Sequence, residues 1–369
     1  MFLSALIWMG LLSPISHASP IYSPSAKPVV ASIEILPNYL LHLFVVGGVW
    51  ESADKSYARR QAGTVQQADR DFLKAHRESI AWGNLADGGF KVRLFFFPAY
   101  KGFSTKKELQ DYFEALVSAS KKGDFKEFER TYGRINEPFR MELDQAKNRP
   151  DDLLLLHRFA QIIVMNFPTY RDHVWPSQKR SLDRIAAKVD LYFQERDHVG
   201  EWEQVLRMPL PVSQWQVILT AIGGNDVPSA NNLSRDRYQF YCQPDDFKGL
   251  VGMIDHEIGT DILSPTFWEL FKDDDLTTRT HAAGLEPRQL FYKAFENLAE
   301  FSKSRLGNNT QTFEGPMLDG KGSFEAKTFF AIYAEVLRRQ PALNGQQLLR
   351  KGIEAYLQAH QIRPKAQGE

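Results

Sequence analysis

The residues of this chain best suited to chemistry lie in the stretch 249–271, with His256 and Glu257 at its centre. In a helical His-Glu-x-x-His, two imidazoles one turn apart grip a zinc ion. The glutamate between them serves as general base toward a metal-bound water. Here Thr260 stands where the second histidine belongs. Its neutral hydroxyl is a weak zinc ligand beside imidazole, thiolate or carboxylate. Leu250, Met253, Ile254, Glu257 and Ile258 recur at helical spacing, which predicts a helix with His256 inside it. Residues four apart lie about 40° apart around the axis, so position 260 shares the face of His256. Asp261 is turned away by roughly 140° and could serve only if the helix ended there. Gly259 and Pro265 are residues at which it could end.

A metal site needs donors from a second element. The segment 292–305 supplies Glu296 and Glu300, four apart on one helical face. Like charges at that spacing repel unless a cation or histidine lies between them. The plain alternative is a solvated helix, with Lys293, Lys303 and Arg305 nearby. His281, between the two segments, is a further imidazole that could swing in. His157, in an apolar helical run, reads as a core or boundary histidine. The acidic run 273–275 reads as a solvated turn flanking a helix.

The elements that must position these groups are mostly helical. Leu109, Tyr112, Phe113, Leu116 and Val117 form one apolar stripe, and Phe125, Phe128, Tyr132 and Ile135 continue it. Further helices are expected over 153–165, 182–193, 324–339 and 346–360. The run 215–222 is the strongest strand signal and ends in the turn cluster 223–226. A second short strand is expected over 238–242, and 29–39 reads as a strand or extended entry. The aromatic run 93–100 fits neither period.

The chain has 369 residues, 43% hydrophobic and 24% charged, which is ordinary globular composition. Its formal net charge is zero, so no basic field draws nucleic acid or anionic lipid. Residues 2–12 are apolar and Ser16-His17-Ala18-Ser19 follows, so 1–18 is expected to be a signal peptide cleaved after Ala18. The mature chain is then exported, periplasmic or secreted, with no membrane span after cleavage. Cys242 is the only cysteine, which excludes an intrachain disulfide and a cysteine-based zinc site. The expected organisation is a linker over 19–28, a helical N-terminal region over 29–210, a second region over 211–362, and a tail over 363–369.

Taken together, these residues resemble the gluzincin branch of the zinc metallopeptidases. There a ligand glutamate and a further acid four residues on follow the motif helix. The closer resemblance is to a bacterial family of uncharacterised gluzincin-like proteins, whose helix reads approximately His-Glu-Phe-x-His-Ser-Phe-x-x-Pro. Here it reads His256-Glu257-Ile258-Gly259-Thr260-Asp261-Ile262-Leu263-Ser264-Pro265. The order strand, Gly-rich turn, strand, helix also agrees. The resemblance covers mainly 215–306. It implies an α+β, mainly helical fold, whose zincin-like region packs a small antiparallel sheet on the motif helix. It implies His256 and Glu296 as zinc ligands, Glu257 as base and Glu300 as orienter of His256. It also implies that peptide pairs along the edge of the 215–222 strand.

Thr260 breaks that pattern and leaves zinc two protein ligands where catalytic sites supply three. The first expectation is therefore a degenerate relative. It would have weak or no peptidase activity, zinc weakly held or absent, an open side at Thr260, and peptide or protein binding in the old cleft. The alternative is an active metallopeptidase with His281 or Asp261 replacing the missing histidine. A helical envelope protein with a coincidental His-Glu pair is the third reading, and the later acid pair argues against it.

Overall fold

The structure, a computed structural model, describes residues 27–49, 55–77, 101–133, 150–222, 230–234, 237–241, 246–306 and 323–362. The expected signal peptide, most of the linker, the aromatic run 93–100, the turn 223–226, Cys242 and the tail lie outside them.

A four-stranded sheet forms the centre. Strand β1 (Val29–Ser32) pairs parallel with β2 (Trp215–Thr220), with Val29 opposite Trp215. Strand β2 pairs parallel with β4 (Arg237–Tyr241), and β3 (Ala230–Ser234) runs antiparallel to β4, giving the order β1-β2-β4-β3. The sheet is thus mixed, and the expected antiparallel sheet reduces to one edge pair. Parallel pairing needs a long crossover. The helices between β1 and β2 provide it, and β3 provides the return between β2 and β4.

Strand β2 is also not the edge. Trp215, Val217 and Leu219 enter one core, while Ile218 and the nearby Ile222 enter another. Burial on both faces is why this segment reads as a nearly unbroken apolar run. The edge beyond β4 belongs to β3.

Helices cover both faces. One core gathers α1 (Ile35–Val46), α2 (Lys55–Gln61), α3 (Gln67–Ala75), α4 (Lys106–Lys122), α5 (Lys126–Tyr132) and α6 (Pro150–His173). The other gathers α7 (Trp175–Gln194), α8 (His198–Leu206), α9 (Phe247–Leu270), α10 (Asp274–Ala282), α11 (Pro287–Lys303), α12 (Ser323–Arg339) and α13 (Gly345–Ile362). Val29 belongs to this second core as well, so the cores interleave across residue 210. The sheet joins them.

Helix α1 departs from the expected extended entry. It is apolar all round, as a fully enclosed helix is. Pro37 falls in its first turn, where a missing N–H costs little. His157 is exposed on α6 and meets Gln161 at 3.1 Å, so it is neither core nor boundary. Asp273 does flank a helix: it caps α10 by accepting from the Leu276 N–H at 3.0 Å, and it pairs with Arg350.

Helix α9 is pinned along its length. Asp246 caps its start by accepting from the Gly249 N–H at 2.8 Å. It then runs unbroken through Gly259 and Pro265 to Leu270, so the early end does not occur. His198 on α8 donates from Nδ1 to Asp255 at 2.9 Å, and Arg196 Nε donates to its Nε2 at 3.2 Å. The fully buried Trp202 ring lies over Gly259. Trp215 Nε1 donates to Asp261 at 3.0 Å and ties the helix to β2. Lys303 Nζ, at the end of α11, donates to the Gly252 carbonyl at 2.8 Å.

Candidate functional site

Helices α9 and α11 pack against each other and bring the expected residues together. His256 is only 1% exposed. Its Nε2 lies 3.0 Å from Glu296 Oε2, and its Nδ1 lies 2.7 Å from Glu300 Oε1. Spacing explains the fit: Glu296 and Glu300 are one turn apart on α11, so one imidazole reaches both. The glutamate side chains are 14% and 17% exposed, which rules out a simply solvated helix face.

Burial by itself would keep the ring neutral. Hydrogen bonds to Glu296 and Glu300, with the charges of Glu296 and Glu257, outweigh it and hold the His256 pKa up at about 10. The two carboxylates thus favour the imidazolium form of His256 at neutral pH. Burial pushes the Glu257 carboxyl upward. The positive His256 opposes this, while Glu296 adds to it.

Thr260 is 5% exposed, and its hydroxyl lies 2.9 Å from Glu257 Oε2 and 3.0 Å from the Glu257 carbonyl oxygen. The side expected to stand open is thus filled by Thr260 itself. Its hydroxyl proton is spent on Glu257. Of the two proposed substitutes, Asp261 is buried and engaged by Trp215, as the 140° offset required. His281 stands exposed in the last turn of α10.

Several members were not legible from the motif. Tyr292, one turn before Glu296, bonds it through its hydroxyl. Burial first, and the Glu296 charge second, push that phenol well above its ordinary range. Lys303, which the alternative reading placed on a solvated face, is buried 3.8 Å from Glu300. The spacing 292, 296, 300, 303 along one face of α11 carried the signal.

The zinc that the resemblance implies meets a poor donor set. Only His256 and Glu296 converge as ligands, where a catalytic zinc has three protein donors. Two donors on a tetrahedral zinc, each about 2.1 Å from it, lie about 3.4 Å apart. The observed 3.0 Å is a hydrogen-bond separation. Glu300 faces Nδ1 as an orienting carboxylate would, so only Nε2 is left for a metal. The residues present do not fit zinc, and among the described residues no other group of histidine, cysteine, aspartate or glutamate forms a metal site.

Elsewhere, a groove of about 480 Å³ lies between α4 and α6, floored by Phe113, Val117 and Val164. It shares no lining residue with this cluster. No helix among the described residues is long and apolar enough to cross a membrane. No known protein family, curated protein or solved structure matches the chain.

Proposed function

We propose that this chain is an exported, zincin-type relative of the zinc peptidases that has lost the chemistry and acts by binding peptide or protein. The observation that carries the reading is the fate of the third donor. Thr260 occupies its position and is bonded to Glu257. Asp261 and His281, the residues on which an altered ligand set would depend, are respectively engaged by Trp215 and exposed on α10. The active-peptidase alternative therefore lacks its substitutes.

The retained likeness supports the ancestry. His256 and Glu257 lie on one helix, and Glu296 and Glu300 meet the same imidazole from another. An antiparallel strand, β3, stands at the sheet edge. Its outer edge is where an extended peptide would add by main-chain hydrogen bonds. That role moves to β3 from β2.

The test is peptidase activity and zinc titration of the mature protein beside Thr260→His. The wild type is expected to hydrolyse no peptide and to bind zinc weakly. Thr260→His returns a third donor to the His256 face and is expected to bind zinc at least about tenfold more tightly. Equal, tight binding by both proteins, with chelator-sensitive hydrolysis by the wild type, would restore the active-peptidase reading.

A further inference from the structure

We propose that the ion triad Glu296–His256–Glu300 has taken the structural place of the metal, with the imidazole as resident cation fastening α9 to α11. The inference rests on the zincin-type reading of these two helices.

A structural metal joins elements by drawing donors from each around one positive charge. Here the same connection exists without an ion. His256 comes from α9, and both carboxylates come from α11. The carboxylates face opposite nitrogens of the ring, at 3.0 and 2.7 Å. An ionised carboxylate only accepts, so Nε2 donates to Glu296, while Glu300 sets its charge against the Nδ1 side of the ring. A metal at Nε2 would need that nitrogen's lone pair, and the bond to Glu296 removes it.

The rest of the cluster is arranged for the same job. Lys303 lies 3.8 Å from the same Glu300 oxygen that faces the ring, offsets its charge, and also binds the Gly252 carbonyl on α9. Tyr292 supplies a second hydrogen bond to Glu296. Thr260 holds Glu257 through its hydroxyl. Each buried charge thus has a partner of its own, as buried charges require.

The test uses the mature wild-type chain, purified without chelator. Elemental analysis is expected to find no stoichiometric metal. Thermal melts are expected to coincide within about 1 °C with EDTA or with equimolar zinc, because a ligand far below its dissociation constant hardly shifts the melting of the native state. Glu296→Gln and Glu300→Gln are each expected to lower the Tm by at least about 3 °C. In a His256→Gln background the same changes should cost much less, since their shared partner is gone.

Stoichiometric zinc, or a Tm that zinc raises in the wild type but not in Glu296→Gln, would overturn the triad. So would glutamate losses that are the same with and without His256. If the variants do not fold, metal content and the wild-type melts still decide. The two proposals fail separately. Peptidase activity that survives chelation would overturn the non-catalytic reading and leave the triad standing. A zinc-dependent Tm without hydrolysis would do the reverse.

Discussion

Glycine is a poor helix residue, and Gly259→Ala in an open helix would stabilise by about 1 kcal/mol. In α9 the opposite sign is expected. A Cβ at position 259 would lie 2.4, 2.5 and 2.9 Å from three carbons of the Trp202 ring. Carbon atoms pack at about 3.5–4.0 Å, so the methyl overlaps the indole by about 1 Å. Trp202 is fully buried between α8 and α9 and has no solvent to turn into. Overpacking of this kind costs about 1–3 kcal/mol, sometimes more, which cancels or exceeds the helical gain. A net loss near 2 kcal/mol corresponds to a Tm drop of about 2–3 °C in a chain of this length. Gly252 is the control on the same helix. The nearest atom to its added Cβ is Lys303 Nζ at 3.9 Å, so Gly252→Ala is expected to be neutral or slightly stabilising. Both variants would be followed by thermal and urea unfolding. A Gly259→Ala protein that melts at or above wild type would refute the close packing of Trp202 on the motif helix. With it would go the account of why residue 259 is glycine.

Asp261→Ala strands the buried Trp215 Nε1–H and is expected to cost about 1–3 kcal/mol, read as a lower urea midpoint. A cost near zero would put Asp261 back among the groups free to bind a ligand. The pH dependence of stability is expected to fall on both sides of neutrality. Burial lowers the His42 pKa to about 3, and its nitrogens lie 2.7 Å from the Tyr57 hydroxyl and 2.9 Å from the Thr64 hydroxyl. The unfolded chain therefore takes up a proton near pH 6.5 that the native chain refuses, and stability falls from there toward pH 3. His256 works in the other direction. Its stabilisation is complete below about pH 6.5 and is lost as pH rises through about 10. Imidazole NMR should find His42 neutral and His256 doubly protonated at pH 7.5. A neutral His256 at that pH would contradict the two carboxylate contacts.

Local pattern carried most of what sequence could give. The helices on either side of the site follow apolar spacing that needs no tertiary information. The meeting of His256 with Glu296 and Glu300 was legible because two one-turn spacings fit one imidazole. The sheet was harder. Strand β1 is four residues long and its partner lies 186 positions on, at Val29 opposite Trp215. No local pattern encodes a pairing across so many helices, and β2 read as an edge although both its faces are buried. Lys303 and Thr260 share one limit. Sequence shows a side chain's chemistry but not its enclosure, so a solvated face around Lys303 stayed open as an alternative and a bonded hydroxyl read as a gap. The Trp202–Gly259 contact had no signal beyond the glycine itself.

The acid pair on α11 first argued against a coincidental His-Glu pair, since a chain never built around zinc has no catalytic need of two further carboxylates. The geometry weakens that argument. Removing one member of a buried, mutually satisfied cluster leaves the others uncompensated, and the stranded charge costs more than the lost contact. Once His256 is clamped between Glu296 and Glu300, either glutamate is needed for stability whether or not a metal ever binds. Thr260 differs in kind. Position 260 contributes to a metal site only through a donor aimed at the ion, and a hydroxyl there can bond its own helix at Glu257 without stranding anything. The second imidazole is therefore the member of the constellation that can be replaced at least cost. His256, Glu296 and Glu300 are the members that must stay together. A motif broken only at its second histidine, with the acid pair intact, is the pattern this energetics would favour under the proposed reading.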